Sequence, residues 1–318
     1  MDQNNLVKMS SITKKICVAL LGAFLLIFLL VHASANLCIL RADEGTWYTD
    51  FCHFFGTNYV IKVFEVILMA AFLFHICISL YLQLENRKAR GTVRYHHASK
   101  TKTHTGSKLM MWTGILILAF LVMHLMQFWC VKLGMVEGKY MVKTETLMKE
   151  AAKFGQSEKL MEMQNALYSI PASSEEELMN YFEDLKKKGS LNATEQDQLN
   201  FFTLNEVFMA MNQDAKYQHN LSAEQADAIE AFMPEAEVEP DFYVMTREKF
   251  KIWWMDLIYL ITFVVLWIHM RHAFQSAFQT LGLNNLKYGK AIDICAVLYA
   301  TLICLMFTAV PVLVFLGF

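Results

Sequence analysis

The sequence predicts an all-α integral membrane protein, a bundle of five transmembrane helices with an extracytoplasmic helical insert. The first observation is composition: 55% of the 318 residues are hydrophobic, more than in an ordinary soluble domain. The second is a set of five apolar runs, at 16–40, 59–84, 109–131, 252–270 and 291–318. Each run is close to or longer than the ~20 residues that cross a bilayer as a helix. The first run is too long for a cleaved signal peptide.

The third observation is an uneven distribution of charge between the loops. The segment 85–108 contains seven Lys or Arg and one Glu, whereas 133–245 contains 21 acids and nine Lys. Cytoplasmic loops of membrane proteins carry the excess of basic residues. We therefore expect 85–108 and the N-terminus in the cytoplasm, and the acidic segment and the C-terminus outside.

Each predicted helix has a recognisable start or end. The first begins after an N-cap at Ser10 and reaches about residue 40, and the second spans 59–85 after an aromatic outer connection at 41–58. The third spans 107–131. The fourth spans 247–280 and ends at Gly282, and the fifth begins near Lys290. The predicted division is 1–132 for the first three helices, 133–246 for the insert and 247–318 for the last two.

The insert is polar and contains few Gly or Pro residues. The stretches SSEEELMNYFEDLKKK and NLSAEQADAIEAFM are typical of amphipathic helices, and Ser174–Glu177 and Ser222–Gln225 have capping-box spacing. The sequence predicts a helical cap on the outer surface. A dedicated partner-docking role is the alternative.

Five of the ten histidines fall in predicted membrane helices: His32, His75, His124, His269 and His272. One such histidine alone is often a packing residue, but polar groups in membrane helices are expensive and usually functional. With ~1.5 Å of rise per residue, the first and third helices place His32 and His124 about 25 Å from the inner edge. The second and fourth place His75 and His272 about 15–18 Å from it.

Two histidine pairs at two depths are what a four-helix bundle needs to hold two b-type haems by bis-histidine ligation. The seven cysteines form no CxxCH motif, so covalent c-type haem is not supported. In the fourth helix His269 and His272 lie three residues apart on a similar face, and depth leaves both open as the partner of His75.

The motifs SSITKK, LVHASANL, LFHICISLYLQLENRKAR, LAFLVMHLMQFW and HMRHAFQSAFQTLGLNNLKY carry a family resemblance. The chain resembles the dihaem cytochrome b membrane anchor of succinate dehydrogenase/fumarate reductase, in the five-helix, single-anchor form found in Bacteroidetes. The resemblance covers 1–132 and 241–318 and says little about the insert.

The resemblance implies that His32 and His124 bind the iron of an outer haem b, and that His75 and His272 bind the iron of an inner haem b. His272 is favoured because it directly precedes a small residue, Ala273, and the FQSAFQ run. A glutamate that some members carry two positions before this ligand is replaced by Met270, which argues against a proton path there.

The resemblance further implies a respiratory complex in a bacterial cytoplasmic (inner) membrane. A flavoprotein and an iron–sulfur subunit would dock on the cytoplasmic face, at 85–108 and the N-terminus, and pass electrons to a quinone, which the family form suggests is menaquinone. The quinone site is expected near the outer haem, within reach of Glu65, Asp50 or His53, and Glu65 is the candidate for proton exchange. Arg271 and Lys287 are candidates to pair with haem propionates.

Lipid is a further expected partner and nucleic acid is not. A dimer of such complexes is compatible with the resemblance. The nearest alternative is the dihaem cytochrome b anchor of a hydrogenase or a formate dehydrogenase. A transporter or assembly protein without haem, whose histidines only pack, is the alternative from another class.

Overall fold

A computed structural model of the chain describes residues 10–91, 105–172, 174–284 and 287–318. The chain divides into two compact units, of which one comprises Met1–His124 with Arg247–Phe318 and the other Leu125–Thr246. Most of the predicted docking segment 85–108 lies outside the described residues.

Helices dominate both units. In chain order they are α1 (Ser11–Leu37), α2 (Thr46–Thr57), α3 (Tyr59–Arg90), α4 (Thr105–Gln127), α5 (Trp129–Lys132), α6 (Thr144–Phe154), α7 (Glu158–Tyr168), α8 (Glu175–Lys187), α9 (Ala193–Ala210), α10 (Ala223–Phe232), α11 (Phe242–Lys249), α12 (Trp253–Thr280) and α13 (Gly289–Phe315). The strands are β1 (Tyr140–Lys143), β2 (Tyr217–Leu221) and β3 (Val238–Pro240).

Among the described residues, five helical segments are long and apolar enough to cross a membrane: Ser11–Leu40, Tyr59–Arg90, Leu109–Lys132, Trp253–Thr280 and Gly289–Phe315. They agree with the five predicted spans, so the multi-pass membrane architecture is confirmed at this level. Their apolar side chains are widely exposed, as expected for helices that face lipid.

Side-chain caps fix the starts of α1 and α3. Ser10 Oγ accepts a hydrogen bond from the Thr13 N–H at 3.1 Å, and Asn58 Oδ1 accepts one from the Val60 N–H at 2.9 Å. At the end of α12, Gly282 adopts φ +74°, which a side-chain-bearing residue rarely does. These caps place the three helix ends close to the predicted positions.

One predicted helix start was wrong, and one connection contains a helix that was not predicted. The fourth membrane helix begins at Trp253 rather than at 247, because the separate helix α11 ends at Lys249. The outer connection 41–58 contains α2, a twelve-residue helix. Its mixture of aromatic and polar residues gives no clear apolar stripe, and this explains why the sequence did not reveal it.

Close packing in the membrane unit joins α12 with α13, and α1 with α3, α12 and α13. One buried cluster in this packing comprises Leu26, Ala33, Met270, Ala300 and Ile303. The two alanines are completely buried, and small residues allow membrane helices to approach closely. Met270 is therefore a core residue with 1% of its surface exposed.

The described part of the insert contains a small sheet in addition to the predicted helices. Its three strands form an antiparallel sheet of order β2-β1-β3, with Tyr140 opposite both Leu221 and Pro240. The strands are three to five residues long, too short for period-two alternation to stand out in the sequence.

The insert has its own apolar core and well-capped helices. The core residues are Val142, Leu147, Leu204, Val207, Leu221, Ile229, Met233 and Ala236. The predicted capping box at Ser222 and Gln225 is confirmed, and Ser174 Oγ accepts from the Glu177 N–H at 3.2 Å. A further capping box joins Asn192 and Glu195.

Candidate functional site: two groups of histidines in the bundle

The outer group joins α1 and α4 through two histidine rings. The centroids of His32 and His124 are 6.0 Å apart, and the ring planes are inclined by 77°. Phe28 stacks on His32 at 5.3 Å and Phe120 stacks on His124 at 5.7 Å. The structure thus brings together His32 and His124, the two histidines that were paired by their depth along the helices, and places aromatic side chains around them.

A tyrosine on α12 completes the outer group. The Tyr259 hydroxyl and His124 Nδ1 are 3.2 Å apart, within hydrogen-bond distance. Tyr259 is 4% exposed, and its ring meets Phe120 and Phe263 edge-on. A hydrogen bond at Nδ1 holds the His124 ring in one orientation.

The inner group begins with His75 on α3, which lies against α1. A Cβ atom added to Gly22 would lie 3.6 Å from His75 Cε1. His75 Nδ1 is buried and has no partner at full hydrogen-bond geometry among the described residues, although the backbone of Val18 lies near it. A buried polar atom without a full partner suggests a site whose occupant is a ligand.

The second member of the inner group is His269 on α12, which lies against α4. Thr113 Oγ1 is 3.1 Å from His269 Nδ1, and a Cβ atom added to Gly114 would lie 3.6 Å from His269 Cε1. His269 is close enough to interact electrostatically with both His75 and His272. The two inner histidines therefore each have a glycine of a neighbouring helix beside the ring.

His272, the ligand implied by the resemblance, is half-buried and lies about one turn further along α12. The contacts with Thr113 and Gly114 are made by His269. The geometry of the described residues therefore favours His269 as the α12 member of the inner group, whereas the sequence resemblance favours His272.

Among the described parts of the helices that carry these histidines, α4 packs less closely against its neighbours than α1, α3 and α12 do. The extensive packing of the unit involves α1, α3, α12 and α13, whereas α4 meets its neighbours through side chains such as Thr113, Phe120 and His124. A prosthetic group held between helices needs this kind of spacing.

The outer group fits a metal bound by two imidazoles. Two ring nitrogens that each bind a metal at ~2 Å are ~4 Å apart, and the ring centroids lie behind those nitrogens. A centroid separation of 6.0 Å is of that order. The stacked phenylalanines and the neighbouring tyrosine supply the apolar walls that a haem requires.

Of the other predicted site residues, Arg271 and Glu65 lie on α12 and α3, and Lys287 lies in the connection between α12 and α13. The Arg271 guanidinium lies 5.6 Å from the Trp267 ring centroid, and the Lys287 amine lies 5.3 Å from the Tyr288 ring. Glu65 is half-buried on α3, among residues that are mostly exposed. None of these positions is in conflict with the predicted roles.

Sequence reasoning missed a buried acid and three supporting residues. Asp256, near the start of α12, is 6% exposed, and its Oδ1 has no hydrogen-bond partner among the described residues. Gly22, Thr113 and Tyr259 contact histidines from other helices. An acid within an apolar run signals Asp256, but contacts between distant helices leave no signal in one sequence.

Comparison with models of known protein families, with curated proteins and with solved structures finds no match to this chain. The histidine groups and the sequence motifs therefore carry the functional argument.

Proposed function

We propose that this chain is the membrane anchor and electron-transfer subunit of a succinate dehydrogenase/fumarate reductase complex. The observation that carries the proposal is the pair His32 and His124, on two different helices, whose ring centroids are 6.0 Å apart. A second group at His75 and His269 and the motifs in four of the five spans support it.

The outer haem b would be held by His32 and His124, and the inner haem b by His75 and one histidine of α12. The contacts of His269 with Thr113 and Gly114 favour it as the α12 ligand. His272 is the alternative that the resemblance implies. When bound, the two haems would supply one-electron transfer between an iron–sulfur partner and a quinone.

The protein's own residues would hold, shield and orient these groups. Imidazole nitrogens are good iron ligands in a dry site, and Phe28 and Phe120 exclude water from the outer pair. Arg271 and Lys287 would pair with propionates, since charged donors form strong hydrogen bonds with carboxylates.

Proton exchange with the quinone is assigned to Glu65, in the outer part of α3. Glu65 precedes His75 by ten residues, or about 15 Å along the helix, and so lies near the level of His32 and His124. A carboxyl group there can accept or donate the proton that accompanies each electron. Met270 has no such role, since it packs in the core of α1, α12 and α13.

The remaining assignments follow from charge and topology. The basic segment 85–108 would face the cytoplasm and dock the flavoprotein and iron–sulfur subunits, and the acidic insert would lie outside a bacterial cytoplasmic membrane. The quinone would be menaquinone, and two such complexes would be able to associate as a dimer.

Co-purification tests the complex itself. The tagged full-length chain, expressed in its own host, is expected to bring down a flavoprotein and an iron–sulfur protein, and the assembly should reduce a menaquinone analogue with succinate. If hydrogenase or formate dehydrogenase subunits come down instead, the chain belongs to the alternative class of dihaem anchors.

A pair of variants decides the inner ligand on α12. His269→Ala and His272→Ala differ only in which of the two histidines is removed. We expect His269→Ala to lose the same haem as His75→Ala, and His272→Ala to keep two haems. The opposite result would assign the iron to His272, as the resemblance implies.

A further inference from the structure

The side chain of Thr113 lies where three polar groups converge on one hydroxyl. Its Oγ1 is 3.1 Å from His269 Nδ1, 3.2 Å from the Leu109 carbonyl oxygen and 3.0 Å from the Met110 carbonyl oxygen. Thr113 is 6% exposed, so water does not compete for these contacts. The arrangement therefore limits which group can donate and which can accept.

A count of hydrogens decides the direction of the contact. A threonine hydroxyl has one hydrogen to donate, and carbonyl oxygens can only accept. If the hydroxyl donated to His269, two carbonyl oxygens would face Thr113 Oγ1 with no hydrogen between them. The hydroxyl therefore donates to its own helix, and Oγ1 accepts from the His269 Nδ1–H.

We propose that Thr113 is a positioning residue that holds His269 in the tautomer with the proton on Nδ1 and the lone pair on Nε2. A neutral imidazole has one N–H, so fixing it at Nδ1 leaves Nε2 as the free ligand atom. This inference rests on the proposed function, because the ligand that Nε2 would bind is the iron of the inner haem.

The neighbouring residues make the orientation specific. Thr113 is β-branched and bonded back to the preceding turn of α4, so its hydroxyl has little rotational freedom. Gly114 lies beside the same ring, where an added Cβ would be 3.6 Å from His269 Cε1. Thr113 thus fixes the proton, and Gly114 leaves space for the ring.

The chemical consequence concerns the strength of the iron–nitrogen bond. A ligand histidine that donates its second N–H to an oxygen becomes a more basic ligand, and loss of such a partner typically weakens metal binding ~10- to 100-fold. A more basic ligand favours ferric over ferrous iron. Loss of the Thr113 hydroxyl should therefore raise the reduction potential of the inner haem.

The experiment compares Thr113→Val, Thr113→Ser and the unchanged full-length protein by redox titration of the haem absorption bands. Valine keeps the shape and removes the hydroxyl, whereas serine keeps the hydroxyl. The inner component is the one that His75→Ala removes. We expect Thr113→Val to raise its potential and to weaken its haem retention, while the outer component and Thr113→Ser titrate as the unchanged protein does.

A tenfold change in the relative stability of the two iron states corresponds to about 59 mV in a one-electron couple. An inner potential in Thr113→Val equal to that of the unchanged protein would overturn the inference. If Thr113→Val loses the inner haem altogether, the serine variant decides. An inner haem that Thr113→Ser retains at the unchanged potential supports the role of the hydroxyl, and loss of the inner haem from Thr113→Ser as well overturns the inference. Absence of haem from the unchanged protein would refute the proposed function instead.

Discussion

Replacement of Gly22 by leucine should remove the inner haem and leave the outer one in place. An alanine Cβ at Gly22 would lie 3.6 Å from His75 Cε1 and 3.9 Å from His75 Nδ1, which is ordinary van der Waals contact. Leucine adds three further carbons in the direction of the ring. The histidine must move, and overpacking of this kind costs ~1–3 kcal/mol even where a core adapts.

The matched control is Gly22→Ala. The space beside His75 accommodates the Cβ of alanine, and alanine stabilises a helix by about 1 kcal/mol relative to glycine. We therefore expect Gly22→Ala to keep two haems per chain and Gly22→Leu to keep one, the outer. Thermal stability of the helical signal should rise slightly in the first variant and fall in the second.

The assay is a reduced-minus-oxidised absorption spectrum of each purified full-length variant, with haem content measured per mole of protein. A spectrum of Gly22→Leu with two haems at unchanged potentials would refute the placement of an iron ligand at His75. Loss of both haems together with the helical signal would show global misfolding, and Gly22→Ala with one haem would show that the space beside His75 is smaller than the structure indicates.

Three further predictions concern stability. Asp241→Ala removes a buried carboxylate that accepts hydrogen bonds from the Asn220 and Val244 N–H groups and contacts His219. The free energy of unfolding of the insert should fall by ~2–4 kcal/mol, so amide exchange in its sheet should become faster by on the order of 100-fold. Asp184→Ala, on the exposed face of α8, is the control and should change the exchange rates little. Met270→Glu buries a carboxyl among Leu and Ile side chains and should cost ~3–5 kcal/mol in a denaturant titration, whereas Met270→Leu should cost less than ~1.5 kcal/mol. The Lys188 amine and the backbone at Asn192 lower the pKa of Glu195 from its ordinary value of 4.5. The charged form therefore stabilises α9 above that value, and the contribution is lost as the pH falls through the lowered pKa. In thermal melts, Glu195→Gln should destabilise the insert at pH 7, and the difference from the unchanged protein should shrink as the pH is lowered below 4.5.

The membrane helices could be predicted because their signal is long and local. About 20 apolar residues are needed to cross a bilayer, and five runs of that length are visible in the sequence. The first turn of α1 was also predictable, because Ser10 is a side-chain cap. In contrast, β1 to β3 are short, and their partners are far apart in the chain, so their pairing depends on tertiary contacts.

The histidine groups were only partly predictable for a geometrical reason. Counting residues along a helix gives depth, and depth pairs His32 with His124. Depth does not give the rotation of α12 about its own axis, and this rotation decides which of His269 and His272 meets α4. That rotation is visible only through the contacts of His269 with Thr113 and Gly114 on another helix.

The same limit applies to Met270. Only the family resemblance suggests an acid at this position, and the packing of α12 against α1 and α13 explains the methionine that stands there. The residue fills a close contact beside Ala33 and Ala300. An apolar side chain is therefore required there by packing, whatever the path of protons in the complex.

The most direct test of the account is the haem content of the purified full-length chain and of three single variants. We predict b-type bands with two haems per chain, loss of one and the same haem in His32→Ala and His124→Ala, and loss of the other in His75→Ala. A chain without b-type bands, or variants at His32 and His124 that lose different haems, would contradict it.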